Sequence, residues 1–259
     1  MKKKGNLKEI SAKVSHYLMA LLLPAVLIIL WQTGSKFRLI NPSIMPSPQR
    51  ILHAFITNIR NGLIQEHLAA SLSRVGIGFL SGVVAGVIIG FITGIYKTLG
   101  NLINGLLNFM RSIPTVGLIP LFILWFGIGE ESKIIVIAVS TFWSVLVNTQ
   151  QGLSGTDKKL IEVAQMLEKD KRTVLFKIIL PSSFPAIISG IRLGLSAAWK
   201  AVVAAEMIAS IRGIGYMISY ARELSQPDVL FAGLIIIGII GLLLDFVLIK
   251  IQKKIIKWV

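Results

Sequence analysis

The sequence of 259 residues is 54% hydrophobic and only 15% charged, and its mean hydropathy of +0.77 is far from that of soluble domains. Its net charge of +15 comes from short basic clusters between apolar runs, without the basic surface interleaved with aromatic residues that is typical of nucleic-acid binding. The absence of cysteine excludes thiol chemistry, and three scattered histidines argue against a metal site, so we expect no cofactor. The composition predicts an all-α integral membrane protein.

Apolar runs of about 20 residues, the length that lets an α-helix cross a bilayer, divide the chain. We predict about six spans, at residues 17–34, 75–96, 99–126, 134–148, 184–208 and 229–249, the fourth being short. The basic N-terminal segment lacks a small-residue cleavage site after its apolar run, which predicts an uncleaved first span.

The positions of lysine and arginine predict the orientation, because short loops rich in them stay in the cytoplasm. With the N-terminus inside, 16 of the 27 basic residues fall in inner segments and 8 in outer ones. The remaining three, Arg111, Arg192 and Lys200, lie within spans. Both termini and the charged segment near residue 160 are therefore predicted to face the cytoplasm.

The first outer segment, residues 35–74, is too polar to span. Ser47 and Pro48 fit the cap and the first position of a helix. The apolar residues that follow share one face, which predicts a helix lying along the outer surface; they are Ile51, Leu52, Phe55 and Ile59.

The second span carries a glycine at every fourth position: Gly78, Gly82, Gly86, Gly90 and Gly94. Small residues at this interval allow two helix backbones to approach closely in lipid. We expect the partner to be another span of this chain, with a second copy as the alternative.

The third and fifth spans contain the candidate pathway residues. Pro114 and Pro120 interrupt the third span near Arg111, which predicts a kink that suits either a bent packed helix or a moving pathway. In the fifth span, Arg192 is expected to reach the inner headgroups and Glu206 the outer interface. Lys200 then remains as a charge facing the pathway, with an ion pair to Asp245 as the alternative.

A charged segment, residues 158–185, stands out between the fourth and fifth spans. Leu160, Ile161, Ala164 and Leu167 recur at helical spacing, which predicts a short amphipathic helix that Pro181 and Pro185 close off. Such a helix is either a solvated connection or a docking element.

The spacing in this segment favours docking. Glu162, Ala164, Ile178, Leu180 and Pro181 stand at the offsets of the E-A-A-x-x-x-G-x9-I-x-L-P loop, and the segment resembles that loop of bacterial ABC importer permeases. Val163 replaces the second residue of the pattern, and Glu168 replaces its glycine. Because glycine accepts a positive φ at little cost and glutamate does not, we expect a continuous helix through Glu168.

Three further segments and Asp245 resemble the permease branch for aliphatic sulfonates, taurine, nitrate and related solutes; the segments are RSIPTVGLIPLFILWFGIGEESKI, AWKAVVAAEMIAS and GIGYMISYAREL. The resemblance implies the type I importer fold in the bacterial cell membrane. It also implies a permease dimer, here a homodimer, two cytoplasmic ABC ATPase subunits and an extracytoplasmic solute-binding protein.

These expectations define an organisation and a set of sites. Residues 1–66 are expected to form the tail, first span and outer segment, residues 67–250 the transport core with a coupling loop at 151–183, and residues 251–259 a basic tail. The expected pathway residues are Arg111, Pro114 and Lys200. The residues expected to couple to the ATPase are Leu160, Glu162, Ala164, Leu167, Glu168, Leu180 and Pro181.

The sequence contains no G-x-x-x-x-G-K-[ST] phosphate loop, so ATP hydrolysis must belong to partner subunits and the chain is not expected to be an enzyme. An intramembrane enzyme is disfavoured because Lys200, Glu206 and Asp245 have no helical spacing that pairs them. A passive channel would give the charged segment no purpose. The run AWKAVVAAE also resembles permeases for pyrimidine precursors of thiamine, which leaves a neutral heterocycle as the alternative solute.

Overall fold

The computed structural model describes residues 22–255, and all regular structure in that range is helical. The predicted N-terminal tail, the beginning of the first span and residues 256–259 of the basic tail lie outside the described residues. The described helices are α1 Leu22–Lys36, α2 Pro48–Arg60, α3 Leu63–Ile95, α4 Lys97–Arg111, α5 Ile119–Phe126, α6 Glu130–Ser154, α7 Lys158–Met166, α8 Lys171–Val174, α9 Leu180–Ala209, α10 Ile214–Glu223 and α11 Pro227–Ile255. The predicted all-α fold is confirmed.

Four of the described helical stretches are long and apolar enough to cross a membrane: α3, α6, α11 and the stretch Lys171–Ala209 that contains α9. The pair α4 and α5 qualifies as a fifth, with an 85° bend between its halves. The described part of α1 is a shorter apolar helix. Each predicted span thus corresponds to a helix or a bent pair.

Two predicted boundaries were wrong. Helix α3 begins at Leu63 instead of residue 75, and α6 runs over Glu130–Ser154 instead of 134–148. The added turns are polar, and several of their side chains, including Arg74 and Lys133, are buried among protein groups. A hydropathy pattern assigns such turns to a loop because it measures lipid preference alone.

The centre of the bundle is α6, which lies between α3 and α9. A Cβ on Gly82 would stand 2.4 Å from the carbonyl oxygen of Ala138, and one on Gly90 would stand 2.8 Å from the Cβ of Thr149. On the opposite side, Gly194 of α9 faces Thr141 of α6. The glycine stripe therefore packs against a helix of its own chain, as expected.

Two features at the edges of this bundle position the sites below. Ser47 caps α2 as predicted, its Oγ accepting a hydrogen bond from the Arg50 N–H at 3.3 Å. Between α4 and α5, Pro114 precedes a single 3-10 turn, Thr115–Leu118, and Pro120 occupies the second position of α5, where no N–H is needed. The predicted interruption of the third span is confirmed.

We distinguish two ends of the bundle. The coupling end is where α6 ends at Ser154 and α9 begins at Leu180, with α7 and α8 between them. The network end is where α3 begins at Leu63 and α9 ends at Ala209. At the network end, α10 forms a second apolar core with α3 and α11, made of Ile64, Ile214, Met217, Ile218 and Ile236.

Candidate functional site

The coupling segment, defined here as residues 158–181, begins with two short helices whose first turns are capped. Asp157 accepts a hydrogen bond from the Lys159 N–H at 2.9 Å and so opens α7. Asp170 accepts one from the Thr173 N–H at 3.3 Å and so opens α8. Hydrogen bonding from the side chain and then the backbone of Thr173 lowers the pKa of Asp170. Caps of this kind hold helices that are too short to be stable alone.

The two faces of α7 have different surroundings. Ala164 is only 4% exposed and packs against its own chain. The small side chain thus marks close packing inside this subunit, and a role of Ala164 in coupling to the ATPase stays a prediction. The exposed apolar side is formed by its neighbours, and their exposed fractions are 51% for Leu160, 53% for Val163, 85% for Met166 and 62% for Leu167. Glu162 is exposed beside them.

The helix does not continue through Glu168, which corrects the expectation of a continuous helix. Glu168 has a φ of +51°, and α7 ends at Met166. The Glu168 N–H donates to the Gln165 carbonyl at 2.9 Å, and the Lys169 N–H donates to the Ala164 carbonyl at 3.0 Å. These are the two bonds of a Schellman motif, and they offset the cost of a left-handed glutamate at the position that glycine normally takes.

The prolines do not end the segment as expected. A π-helical turn, Leu175–Ile179, leads directly into α9, in which Pro181 is in the first turn and Pro185 lies inside the helix. The Leu180 N–H bonds to the Leu175 carbonyl across the wider turn. A wider turn leaves space for a proline ring and accounts for a continuous helical stretch here. Leu180 is half-buried and Pro181 is exposed.

A cavity of about 550 Å³ separates the coupling segment from the ends of α3, α4 and α6. Its wall includes Lys158 and Ile161 of α7 and Leu175 of the π-helical turn. On the bundle side, the Gln150 amide nitrogen donates to Thr93 Oγ1 at 2.7 Å and to Asn104 Oδ1 at 3.0 Å. The cavity thus separates part of the coupling segment, around Lys158, Ile161 and Leu175, from the bundle.

The three candidate pathway residues lie together. Arg111, Pro114 and Lys200 line one open cavity of about 330 Å³ between the turn after α4, α6 and α9. Ser140 and Trp143 of α6 complete its wall. The side chains of Arg111 and Lys200 are exposed in the isolated subunit. Neither forms a salt bridge with an acid among residues 22–255.

Asp245 pairs with Arg192 and not with Lys200. The Arg192 Nε donates to Asp245 Oδ1 at 2.7 Å and its Nη2 to Oδ2 at 2.9 Å, so the pair is bidentate. The expected alternative, an ion pair between Lys200 and Asp245, is therefore wrong within this subunit. The pair joins α9 to α11, and the expected reach of Arg192 to the inner headgroups stays a prediction.

An ionic network at the network end was not anticipated. Arg74 donates through Nε and Nη2 to both carboxylate oxygens of Glu130, at 2.5 and 2.8 Å, and through Nη1 to Glu206 at 2.7 Å. Lys133 contacts Glu130 at 3.1 Å. The Glu206 side chain has no exposure to solvent. It is enclosed by α3 and by the loop after α9.

This network also fixes the loop between α9 and α10. Three successive backbone amides are each bound by a side chain: Gly213 N–H by His67 Nδ1 at 3.1 Å, Ile214 N–H by Ser71 Oγ at 3.0 Å, and Gly215 N–H by Glu206 at 3.0 Å. The Glu206 carboxylate therefore caps the N-terminus of α10, where the helix dipole favours a negative charge. A Cβ on Gly213 would lie 2.2 Å from the Glu206 carboxyl carbon, so only glycine fits.

A signal for this network was present in the sequence. His67, Ser71, Arg74 and Gly78 continue the spacing of the glycine stripe towards the start of α3, so they share its buried face. Polar residues on a buried face need partners. Reading the stripe beyond the apolar run would have predicted that Arg74 is buried, although not which acids it meets.

The chain matches the model of one protein family, described as the binding-protein-dependent transport system inner membrane component, over residues 82–259. A putative aliphatic sulfonates transport permease protein of Bacillus subtilis (strain 168) is 40% identical, over 97% of this chain and 91% of its own length. The taurine transport system permease protein of Escherichia coli (strain K12) is 34% identical, over 90% of this chain and 87% of its own length.

Solved structures share the fold. An inward-facing structure of a methionine ABC transporter superimposes with a TM-score of 0.64 and 17% identity, covering 74% of this chain and 95% of that one. An amino acid ABC transporter superimposes with a TM-score of 0.63 and 14% identity, covering 79% and 98%. At these identities the similarity concerns the fold alone.

Proposed function

The chain belongs to the family of binding-protein-dependent transport system inner membrane components, and we propose that it forms the membrane pathway of an ATP-driven importer for small organic sulfonates such as taurine. It is the permease subunit of such an importer. The sulfonate as solute follows from the names of the relatives and from the cations of the membrane cavity.

The observation that carries the proposal is the exposed apolar side of α7. Leu160, Val163 and Met166 present an apolar strip on a helix that is otherwise surrounded by charged residues. An amphipathic helix laid into a groove is a recurrent mode of recognition, and an exposed apolar strip on a capped helix suits it. We assign the groove to a separate ATPase subunit. Movement of either subunit is passed to the other through this strip.

The partners and the orientation follow from this assignment. The coupling end faces the cytoplasm, with both termini on the same side, and the network end faces outwards towards a solute-binding protein. Two copies of this chain and two ATPase subunits form the transporter. ATP binding then shifts the populations of the inward-open and outward-open states of the permease. This shift requires that the ATPase make different contacts with the permease in the two states.

A sulfonate is favoured over the alternative solute, a neutral heterocycle such as a thiamine pyrimidine precursor. Two cations in one cavity stabilise a bound anion, whereas they contribute little binding energy for a neutral ring. Nitrate shares the charge, but the two relatives named above carry organic sulfonates or taurine in their names.

Uptake into proteoliposomes tests this function. The permease is reconstituted with its ATPase and solute-binding partners, and uptake of labelled taurine, ethanesulfonate, nitrate and the pyrimidine precursor is measured with and without ATP. We expect ATP-dependent uptake of the sulfonates. Uptake that needs no nucleotide would identify a passive channel, and uptake of the pyrimidine alone would replace the solute class.

A further inference from the structure

The cavity lined by Arg111 and Lys200, called the cation cavity below, has a largely apolar wall with a few hydrogen-bond donors, and none of its described lining residues is an acid. Arg111 comes from the end of α4, Ser140 and Trp143 from α6, and Lys200 from α9. Its volume of about 330 Å³ is at the lower limit of small-molecule sites in proteins, which suits a solute of a few heavy atoms.

The two cations cannot be explained by contact with lipid. Insertion of a single lysine or arginine at the centre of a span costs about 2.5–3.5 kcal/mol on the most lenient scale. Arg192, on the same helix as Lys200, is neutralised by Asp245 at 2.7 Å, whereas Lys200 and Arg111 have no such acid among the described residues. Charges without partners at this depth indicate a wet cavity or a ligand of opposite sign.

The neutral groups of the wall point to the same chemistry. The half-buried Ser140 is part of this wall. An ammonium and a guanidinium can only donate hydrogen bonds, and a serine hydroxyl can donate as well. A wall that offers these donors and no carboxylate suits a ligand rich in acceptors.

We propose that the cation cavity is a binding site for the sulfonate group of the solute within the permease itself, so that the permease contributes to anion selectivity in addition to the external binding protein. This inference rests on the proposed function. Lys200 and Arg111 supply the positive charge, and Ser140 supplies a directional donor to the sulfonate oxygens. Charge-assisted bonds of this kind are roughly twice as strong as neutral ones.

The groove on the other side of Lys200 differs in a way that locates the site. This groove, of about 420 Å³ between α9 and α11, is bordered by Lys200 but also by the paired Arg192 and Asp245. The Asp245 charge there is offset by Arg192, so Lys200 is the one unpaired cation facing this groove among the described residues, against two in the cation cavity. The sulfonate is therefore expected on the α6 side of Lys200 and not on the α11 side.

Direct binding to the permease–ATPase complex in lipid nanodiscs, without binding protein, tests the inference. The probes are trifluoroethanesulfonate, an anion, and its neutral analogue trifluoroethanesulfonamide, followed by fluorine NMR line broadening. We expect the wild type to bind the sulfonate and not the sulfonamide. Lys200→Met and Arg111→Met should each weaken sulfonate binding by about tenfold or more, the usual loss for a bond to a charged group, and Lys200→Arg should retain most of it.

Two further variants separate recognition from folding. Ser140→Ala removes the hydroxyl, and it should weaken sulfonate binding by several-fold while leaving the complex intact. Arg60→Met removes an exposed charge at the end of α2 and should change nothing. Equal binding of sulfonate by the wild type and Lys200→Met would overturn the site, as would dissociation of the complex by Lys200→Met with unchanged binding in Ser140→Ala.

The outcomes also separate this inference from the proposed function. If the wild type takes up sulfonate but the permease–ATPase complex binds no probe, the proposed binding site is wrong and the proposed function is retained. Absence of both uptake and binding would remove both. Uptake with an unchanged preference for anions in Lys200→Met and Arg111→Met would assign selectivity to the binding protein alone.

Discussion

At the network end, α3, α6, α9 and the loop before α10 are joined by buried ion pairs and bound backbone amides, whereas at the coupling end a cavity of about 550 Å³ separates the coupling segment from the bundle. Both ends contain polar residues, but they use them differently. Arg74 reaches two acids and a carbonyl, while Gln150 reaches one hydroxyl and one amide. The difference indicates that the network end moves as one body and that adjustment occurs at the coupling end.

The largest expected effect is the loss of Arg74. Arg74→Met leaves the Glu206 carboxylate buried without its cation, which should lower the free energy of unfolding by about 3–5 kcal/mol. Thermal unfolding of the detergent-purified protein measures it. Glu206→Gln added to Arg74→Met should recover part of the loss, and Arg60→Met serves as the control. A shift no larger than that of the control would show that the network end is not held by its charges.

The next largest effect is expected from alanine substitutions that test how closely α3 packs against α6 at different positions. Gly82→Ala brings a Cβ against the Ala138 carbonyl, so we expect a loss of about 1–3 kcal/mol from overpacking. Gly94→Ala meets only the side chain of Leu153, whose flexible Cδ1 is the nearest atom at 2.6 Å, and should cost less. Gly76→Ala is the matched control, because open space surrounds that position and alanine is the better helix former.

Thermal unfolding of the three glycine variants tests the difference between the ends. Equal losses for Gly82→Ala and Gly94→Ala would mean that the packing of α3 on α6 is uniform along the bundle. A loss for Gly76→Ala as large as that for Gly82→Ala would show that the backbone approach is not the cause.

A smaller effect is expected for the pair of Arg192 and Asp245. Their side chains are 38% and 42% exposed in the subunit, so each remains partly solvated. Interactions between polar groups on neighbouring spans average about 0.6 kcal/mol and reach about 1.7 kcal/mol. A double-mutant cycle with Arg192→Met and Asp245→Asn should give a coupling energy in this range. A coupling energy as large as that between Arg74 and Glu206 would show that ion pairs also stabilise the middle of the bundle, and not the network end alone.

The smallest effect on stability, and the most selective effect on function, is expected at Met166. Its side chain is 85% exposed, so Met166→Glu should change the unfolding temperature little. Because a charge replaces the apolar strip, solute-stimulated ATP hydrolysis in proteoliposomes should fall to the basal rate. Gln165→Glu, one position away, adds the same charge outside the strip and should retain stimulation. Full solute-stimulated ATP hydrolysis in Met166→Glu would show that the ATPase does not dock on α7.

Local chemistry was predicted from sequence where neighbours in the chain decide the structure. The cap at Ser47, the break at Pro114 and the glycine stripe depend on residues within a few positions of one another, and all three predictions were confirmed. The presence of a short amphipathic helix at the start of the coupling segment was predicted for the same reason. Within its apolar stripe Ala164 is buried while Leu160 and Leu167 are exposed, a division that periodicity alone does not give.

The failed predictions have two kinds of cause, contacts between distant residues and local backbone geometry that residue propensities do not give. Arg74 and Glu206 are 132 positions apart, and no local pattern pairs them. At Glu168, glycine is the cheaper residue, but the backbone bonds to Gln165 and Ala164 fix the turn in spite of the side chain. At Pro181 the preceding π-helical turn accommodates a residue that local propensity assigns to a helix end.

The long separation within the ionic network has a consequence for biogenesis. Arg74 lies 11 residues into α3, so it enters the membrane region roughly 16 Å from the start of that helix at 1.5 Å per residue. Glu130 follows 56 residues later and Glu206 132 residues later. At a synthesis rate of about 5–20 residues per second, the nascent helix waits about 7–26 s for its last acid. During that interval α3 carries an arginine only partly neutralised, which favours its retention at the site of insertion until α9 has been made.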